Sequence, residues 1–524
     1  MAVTPKILVP LLQVLQRGGW TRSRIVTFAM LAMVWAAENF YIQATAFAVP
    51  PVTNHLIFYQ FVRFFLNLAV ASALLLVCKR RILPGVFVVN LFLEVTLIAY
   101  NRYFLHTFSV YYGVKALGEV SRVSLFGLKL VPWSAWLFLS TAFALKLYLL
   151  FRTSWSTARH RWRAAGVCAA AVVIVHVALQ FTSFRFTMIA NTRVTRAVYA
   201  YGYLTSWIAE CFVAPDTKVV AAELAELQKL SPDRIPHDRV PAPIGTNVVI
   251  IQAESLGWNV LNYSINGSEV MPYLNGLAST NWLFKIQAYH HVSSGDMDYA
   301  LLSGGTPSKR MVTFLVPNIS YTNALPRFMQ HHGFYTVSFH GGNGQFFNRL
   351  SNYERMGFDK IFFLENLQER STQRSYWGVR DAELFRISSD LLNHATRPQF
   401  HFIITLDSHG PFDLIKEEEK EIFPHSQVWQ ENYFNSMRAL DRNLQRYIES
   451  LPQGTLLILY GDHTSGVNYN DFHSAREWNI EYVPCFVVVV KSPAKIETSA
   501  PSPLPEDLRI HDIANWMRAQ MSSR

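Results

Sequence analysis

Cysteine is scarce in this sequence of 524 residues, and its four copies are scattered. Cys78, Cys168, Cys211 and Cys485 form no CxxC pair, which argues against both a disulfide framework and a cysteine zinc site. Only Cys211 and Cys485 lie after residue 182. That number is too small to assign a redox compartment, so cysteine usage leaves the cellular location open.

Acidic residues are nearly absent from the first third of the chain. Residues 1–182 contain only Glu38, Glu94 and Glu119 against 17 lysines and arginines, which gives this part a net charge of +14. The whole chain carries +10, so the remainder sums to −4. The basic excess therefore belongs to the apolar part of the sequence, where it favours a membrane over nucleic acid as the partner.

Five apolar stretches fill this basic part, and each has the length of about 20 residues that a helix needs to cross a bilayer. They cover approximately residues 25–47, 56–78, 82–104, 127–150 and 164–182. No internal repeat accompanies them, which disfavours a transporter. The sequence therefore predicts a transmembrane domain of five helices over residues 1–182.

Basic clusters lie in alternate gaps between these stretches, at residues 17–24, 79–81 and 152–163. The positive-inside rule assigns all three clusters to the cytoplasm. An odd number of spans then places everything after Phe184 on the outer face. We therefore expect a multi-pass protein of the bacterial inner membrane whose second half works on the extracytoplasmic side.

Three charged residues, Glu38, Arg63 and Glu94, lie inside the predicted spans. Charge within a membrane indicates a function, such as a transport route or a contact with a lipid head group. The alternative is structural, either a mutual ion pair or a side chain that extends to the interface. The sequence leaves both explanations open.

Residues 183–243 form a predicted connector to the second half. Tyrosine, tryptophan and arginine alternate at helical spacing over residues 192–212, which suits a helix in the membrane interface or the first helix of the next domain. The proline-rich segment 231–245 is typical of an extended lead-in. The third predicted domain is residues 244–524.

Short apolar runs rich in β-branched residues recur through this third domain and alternate with helical patterns. The runs lie at residues 246–259, 335–340, 400–412, 454–466 and 483–493, and the helical stretches at 321–332, 379–394 and 430–450. This alternation predicts an α/β domain with a mainly parallel sheet.

Three of the apolar runs end in polar groups of the same kind. Glu254 ends the first, Asp407 and His409 end the third, and Asp462 and His463 end the fourth. Ligands of open α/β sheets bind at the carboxyl ends of the strands. A carboxylate beside an imidazole at such an edge favours a metal site.

The segment "SSGDMDY" (293–299) adds a hydroxyl to this set. A divalent cation on Ser294 would lower the pKa of its hydroxyl and remove the need for a neighbouring base. With Glu254, Asp462 and His463 the cation has three oxygen ligands and one nitrogen ligand. That set suits Mn²⁺ or Mg²⁺, and Zn²⁺ also accepts it.

Each of these residues also has a structural explanation. The Asp462–His463 pair fits a turn with a satisfied histidine, and Glu254 fits a helix N-cap. Ser294 fits the cap of the acidic helical turn that follows it. Their joint occurrence at successive strand ends within one predicted domain favours the metal site.

Together the motifs resemble the membrane-anchored phosphotransferases of the alkaline phosphatase/sulfatase superfamily, and they are most similar to lipoteichoic acid synthases. The resemblance covers the five-span anchor and most of residues 245–495. "IIQAESL" (250–256) resembles the strand that carries the metal-binding glutamate. "SSGDMDY" resembles the nucleophile segment, in which Thr or Ser precedes a small residue and an acid, and this selects Ser294 over Ser293. The resemblance implies an alkaline phosphatase/sulfatase-like α/β/α catalytic domain.

The segment 339–362 resembles the substrate-binding segment of that family. The resemblance implies four contacts to the head group or its phosphate: His340, Asn348, Arg349 and His409. Phe347 stands where the family tends to have Trp, and the nucleophile is Ser where the family often has Thr. In "GGTPSKR" (304–310) Gly305 occupies the position at which sulfatases need Cys or Ser, so formylglycine cannot form and sulfatase activity is disfavoured.

The predicted reaction is a two-step transfer from a membrane phospholipid. Ser294 attacks the phosphate of phosphatidylglycerol, diacylglycerol leaves, and a glycan or polymer hydroxyl then takes the phosphoglycerol group from phospho-Ser294. Arg349 grips the phosphate, while His409 either moves a proton or only binds the phosphate. The alternatives are a phosphoethanolamine transferase acting on lipid A or a surface glycan, and a catalytically inactive sensor of head groups.

Overall fold

The computed structural model divides the chain into two compact units, Met1–Val219 and Val220–Arg524. This division falls inside the predicted connector 183–243, most of which lies outside the described residues, so the domain boundaries stay a prediction. The structure describes residues 22–46, 54–104, 131–152, 162, 165–170, 225–227, 229, 234–235, 247–291, 293–308, 312–316, 318–367, 369, 371, 373–375, 377–465, 467, 482–491 and 507–522.

The described part of the first unit is helical. Its longer helices are α1 (Arg22–Ala46), α2 (Asn54–Val77), α3 (Leu83–Phe104) and α4 (Trp133–Arg152). They coincide with four of the predicted spans, and most of the fifth, 164–182, lies outside the described residues. Among the described helices, α4 is long and apolar enough to cross a membrane, whereas α2 and α3 contain shorter apolar segments, Phe64–Val77 and Leu83–Ile98. The number of spans therefore stays a prediction.

A buried ion pair joins α1 to α4 in this unit. Lys146 donates a hydrogen bond to Glu38, and both side chains are fully buried. The rings of Trp35 and Phe87 lie near the ammonium nitrogen of Lys146, with centroids at 5.9 and 5.2 Å. Glu38 thus has a cationic partner, as the structural explanation requires. That partner is a residue that the sequence did not single out, and the Arg63 side chain lies outside the described residues.

A seven-stranded sheet forms the centre of the second unit. The strands of the unit are β1 (Asn247–Ala253), β2 (Ser264–Ile265), β3 (Ser268–Glu269), β4 (Trp282–Gln287), β5 (Tyr335–His340), β6 (Lys360–Phe362), β7 (Gln399–Ile404), β8 (Leu456–Gly461) and β9 (Tyr482–Val489). The sheet order is β4-β9-β8-β1-β7-β5-β6, while β2 and β3 form a separate hairpin. The pairs from β8 to β6 are parallel, and β9 is antiparallel to both β8 and β4. The predicted α/β class with a mainly parallel sheet is confirmed.

The central strands are apolar because both faces of the sheet are covered. Every residue of β1, β7 and β8 is buried, the pattern expected of a parallel strand between two layers. The register pairs Ala253 with Gly461 and Gln252 with Ile404. The carboxyl ends of β7, β1 and β8 therefore lie level at one edge of the sheet.

The helices of the second unit pack around this sheet. Within the described residues from 247 onwards, the α-helices are α5 (Pro272–Thr280), α6 (Gly295–Ser303), α7 (Leu325–His331), α8 (Arg349–Met356), α9 (Leu364–Leu367), α10 (Asp381–Asn393), α11 (Trp429–Ser450) and α12 (Ile510–Ser522). The predicted helical stretches 321–332, 379–394 and 430–450 correspond to α7, α10 and α11. Val249 and Ile251 of β1 share one core cluster with Phe385 of α10 and Tyr433 of α11, which fixes these helices against the sheet.

Candidate metal centre and nucleophile loop

Three candidate ligands meet at the carboxyl ends of β1 and β8. Glu254 directly follows β1, and Asp462 and His463 directly follow β8. One ligand atom from each lies within 4.8 Å of the others. The Nε2 atom of His463 is 3.2 Å from Oε1 of Glu254 and 3.6 Å from Oδ2 of Asp462. Strand pairing thus brings together residues that are more than 200 positions apart in the sequence.

Backbone and hydroxyl groups hold these ligands in place. Ser255 donates from its backbone N–H to Oδ1 of Asp462 at 2.8 Å and from its Oγ to Oε1 of Glu254 at 3.0 Å. Its φ of 59° lies in the left-handed region, and such backbone strain is typical of functional sites. Gly461 lets the end of β8 lie close to Leu256, because a Cβ at position 461 would lie 1.9 Å from the Leu256 carbonyl oxygen.

The electrostatics of this group show two carboxylates crowded together. Burial and the negative charge of Glu254 raise the pKa of Asp462 well above its usual range. Burial alone would lower the pKa of His463, but Asp462 and Glu254 outweigh it and raise that pKa to about 10. The Nδ1 atom of His463 lies 2.9 Å from the Thr464 carbonyl oxygen, so an N–H at Nδ1 leaves Nε2 directed at the carboxylates.

The three residues fit a divalent cation. Oδ2 of Asp462 is buried and has no hydrogen-bond partner in the described part of the chain, which is a costly state for a carboxylate oxygen. Two carboxylates and one imidazole are ligands that Mn²⁺ and Zn²⁺ accept. A cation between them would satisfy Oδ2 and offset the repulsion between Glu254 and Asp462.

The two serines of the nucleophile segment have different surroundings. Ser293 is 1% exposed, whereas Ser294 is partly exposed. Ser294 is the residue before α6, but its side chain makes no capping hydrogen bond to the helix. The structural explanation of Ser294 as a helix cap is therefore not borne out, and its hydroxyl is the more accessible of the two.

The loop that carries Ser294 contacts the metal-ligand group directly. The imidazole rings of His290 and His463 are stacked with centroids 4.3 Å apart. Asp296 shapes the same loop, because its Oδ2 accepts the backbone N–H of His291 at 2.9 Å and that of Ser293 at 3.4 Å. The loop follows β4, whose carboxyl end lies at the same sheet edge as the ends of β1 and β8.

His340 and Arg349 lie within electrostatic reach of this edge. His340 ends β5 and is buried, and burial with the positive charge of Arg349 lowers its pKa to about 3. Arg349 is 3% exposed. Its Nε donates to Oδ2 of Asp298 at 3.0 Å, and although burial opposes its charged form, Asp298 raises its pKa. Arg349 is therefore cationic, and His340 is neutral.

Asn348 and Phe347 form a strained turn before Arg349. Both have positive φ angles, 60° for Asn348 and 54° for Phe347. The Nδ2 atom of Asn348 donates to the Phe314 carbonyl oxygen at 3.4 Å, so part of its side chain has a structural partner. The Phe347 ring centroid lies 5.3 Å from Cζ of Arg349. A head-group contact by Asn348 stays a prediction.

His409 and Asp407, both after β7, have different partners. His409 is partly buried and its ring packs against Trp377, with centroids 4.6 Å apart. Burial lowers the pKa of His409, although the charge of Glu254 opposes that shift. Asp407 instead accepts a hydrogen bond from Nε of Arg380 at 2.8 Å. The structure thus leaves Asp407 out of the metal-ligand group and gives it a structural ion pair.

Three residues that contact this site were not singled out from the sequence: Ser255, His290 and Asp298. Ser255 directly follows a ligand. His290 begins a histidine doublet four residues before Ser294, which was a usable signal. Asp298 contacts Arg349 across 51 positions, and no local pattern reveals such a pairing.

The second unit matches a known protein family. Residues 246–503 match the family model named Sulfatase. Lipoteichoic acid synthase 2 of Bacillus subtilis is 26% identical over 231 residues, which are 42% of this chain and 35% of that protein. The lipoteichoic acid synthase-like protein YvgJ of Bacillus subtilis is 24% identical over 263 residues, 49% of this chain and 42% of its own. The chain thus matches less than half the length of these relatives.

One solved structure resembles nearly the whole chain. It is the integral membrane protein lipooligosaccharide phosphoethanolamine transferase A from Neisseria meningitidis, with a TM-score of 0.56 and 13% identity over 89% of this chain and 88% of that one. At this identity the likeness is one of fold. Residues 246–503 form a domain of the sulfatase/alkaline phosphatase superfamily. Within that superfamily, lipoteichoic acid synthases are among its sequence relatives.

Proposed function

We propose that this chain is a metal-dependent phosphotransferase that moves the phosphoglycerol head group of phosphatidylglycerol to a glycan or polymer hydroxyl through phospho-Ser294. The observation that carries the proposal is the group of Glu254, Asp462 and His463, whose ligand atoms lie within 4.8 Å and whose histidine stacks on His290 of the Ser294 loop. The lipoteichoic acid synthases among the sequence relatives support the choice of reaction.

A divalent cation held by Glu254, Asp462 and His463 would supply the positive charge that favours an ionised Ser294 hydroxyl; we propose Mn²⁺, with Mg²⁺ and Zn²⁺ as alternatives. Ser294 Oγ then forms a bond to the phosphorus, and the bond to the diacylglycerol oxygen breaks. In the second step an acceptor hydroxyl attacks the same phosphorus and Ser294 leaves. The phosphoglycerol group is thereby transferred without hydrolysis.

The other side chains have distinct roles in this scheme. Arg349 is cationic and binds the non-bridging phosphate oxygens, while His340 and Asn348 contact the head group. Burial lowers the pKa of His409, so its imidazole is neutral and able to accept a proton from the acceptor hydroxyl. In the first step the proton released by Ser294 balances the one taken up by the diacylglycerol oxygen, and in the second step His409 passes the acceptor's proton to Ser294 Oγ as that oxygen leaves.

The apolar first unit suits a lipid donor. A phospholipid is confined to the bilayer, so a catalytic domain tethered there meets its donor at a raised effective concentration. We propose that the first unit anchors the chain in the bacterial inner membrane and that the second unit lies on the extracytoplasmic side. The basic clusters at 17–24, 79–81 and 152–163 support that orientation.

A second candidate is a phosphoethanolamine transferase, because the solved structure with the same fold over 89% of this chain carries that name. It would use the same metal ligands and the same Ser294. The two candidates differ in the head group that they transfer. An inactive sensor is disfavoured because the ligand set is intact.

The deciding experiment offers the full-length protein two labelled donors in vesicles with Mn²⁺. One is phosphatidylglycerol labelled in the glycerol head group, and the other is phosphatidylethanolamine labelled in ethanolamine. We expect diacylglycerol release and label transfer from phosphatidylglycerol, with both lost in Ser294→Ala. Preferential use of phosphatidylethanolamine would replace our assignment with the second candidate, and equal release by Ser294→Ala would reject both.

A further inference from the structure

A fully buried carboxylate lies beside the arginine that we assign to the phosphate. Asp298, in α6, is 0% exposed. An acid near an anion site weakens anion binding by repulsion. Asp298 takes no part in the proposed reaction, so its position beside Arg349 needs another explanation.

The hydrogen bonds of the Asp298 carboxylate hold the Arg349 side chain in place. Its Oδ2 accepts from Nε of Arg349 at 3.0 Å and its Oδ1 from Nη2 at 3.5 Å. The Tyr353 hydroxyl donates to Oδ2 at 2.5 Å. The Phe347 ring lies against the guanidinium, 5.3 Å from Cζ. The Nε edge of Arg349 is therefore occupied, and the Nη1 atom makes none of these bonds.

We propose that Asp298 is a positioning residue that fixes Arg349 so that the donor phosphate is bound end-on through Nη1 and Nη2 of its guanidinium. This inference rests on the proposed function, because it takes Arg349 as the phosphate ligand. A fixed guanidinium loses little conformational freedom when the anion binds. The phosphate then binds through the Nη1/Nη2 end of the guanidinium and not through the Nε edge, because Asp298 already occupies that edge.

The test measures phosphate affinity and turnover separately in the full-length protein with Mn²⁺. Removing the charged partner of Arg349 in Asp298→Asn is expected to weaken binding of inorganic phosphate and raise KM for phosphatidylglycerol by about tenfold to a hundredfold, with kcat changed less. The double variant Asp298→Asn/Arg349→Gln is expected to bind phosphate no more weakly than Arg349→Gln alone. Additive losses in the double variant would overturn the proposal.

Asp441→Asn is the matched control, because the Asp441 carboxylate is also buried and hydrogen-bonded but accepts the backbone N–H groups of Tyr273 and Leu274 in α5. Its phosphate affinity is expected to stay within about twofold of the parent. An equal loss in both variants would show general loosening of the second unit and overturn the proposal. If Asp298→Asn does not fold, Tyr353→Phe serves instead, with a smaller loss expected that disappears in the Arg349→Gln background.

Phosphate binding distinguishes the two ways in which the account can fail. If neither lipid is turned over but phosphate affinity follows the expected pattern, the proposed function fails and the role of Asp298 stands. If phosphatidylglycerol is turned over and Asp298→Asn binds phosphate like the parent, the role of Asp298 fails alone.

Discussion

The imidazole rings of His290 and His463 lie stacked, 12° from parallel with their centroids 4.3 Å apart. One ring belongs to the loop that carries Ser294, and the other belongs to the candidate metal centre. The stack is thus a direct mechanical link between the proposed nucleophile and the proposed cation. A small shift of either ring would displace the reacting atoms. Reaction rates are highly sensitive to the positions of those atoms.

Replacing His290 with Ala removes this link and is expected to slow phosphorylation of Ser294 by about tenfold to a hundredfold. His290→Phe keeps an aromatic ring in the stack and is expected to recover most of the rate. Single-turnover measurement of Ser294 modification tests both variants. Equal rates for His290→Ala and the parent would show that the stack does not position the loop.

Ser255→Ala removes the hydrogen bond from Oγ to Glu254 but keeps the backbone bond to Asp462. Loss of such a supporting contact is expected to lower Mn²⁺ affinity by about tenfold to a hundredfold. Calorimetric titration of the full-length chain measures the affinity. Ser436→Ala is the control, since the Ser436 hydroxyl is buried without a hydrogen-bond partner in the described part of the chain. An unchanged affinity in Ser255→Ala would contradict the role of Ser255.

The buried imidazole of His401 is expected to make the stability of the second unit depend on pH. Burial lowers its pKa from 6.5 to about 3, so between these values the unfolded chain takes up a proton that the folded chain does not. Stability therefore falls as the pH drops from about 6.5 towards 3. His401→Gln is expected to move the midpoint of acid unfolding to lower pH, whereas His394→Gln, at an exposed position, leaves it unchanged. The same midpoint in all three proteins would contradict this account.

Because Glu38 and Lys146 are buried as a pair, removing one charge is expected to destabilise the first unit more than removing both. Lys146→Met leaves Glu38 buried without its cation and is expected to destabilise the first unit by about 3–5 kcal/mol. Glu38→Gln/Lys146→Met removes both charges and is expected to cost less. Thermal unfolding in detergent gives the order, with Lys79→Met, at an exposed position, as the control. A single variant as stable as the double variant would reject the pair as a stabilising contact.

The sheet and its ligand-bearing edge were predictable because parallel strands are buried on both faces. The runs before Glu254 and Asp462 are apolar throughout and stop abruptly at a charged residue, so strand and site are visible in the same pattern. β4 and the reversed direction of β9 were not predicted. β4 is short, and only two of its six residues are buried, so its apolar pattern is weak. For β9, an apolar run does not reveal whether the strand pairs in the parallel or the antiparallel direction.

Long-range ion pairs within each unit could not be predicted from a local pattern. Lys146 reaches Glu38 across 108 positions, and Asp298 reaches Arg349 across 51. Such pairs depend on how helices pack, which periodicity does not encode. The resemblance in segment 339–362 indicated Arg349 as a phosphate contact, but the edge of its guanidinium that Asp298 occupies follows only from the structure.

The most direct test of the account is the chemical state of Ser294 during turnover. The full-length protein is incubated with phosphatidylglycerol and Mn²⁺ without acceptor, quenched, and the peptide containing Ser294 is analysed by mass spectrometry. We predict a glycerophosphoryl group on Ser294 Oγ that is absent in Ser294→Ala and absent when a chelator replaces Mn²⁺. Diacylglycerol release with Ser294 unmodified, or at an equal rate in Ser294→Ala, would contradict the central claim.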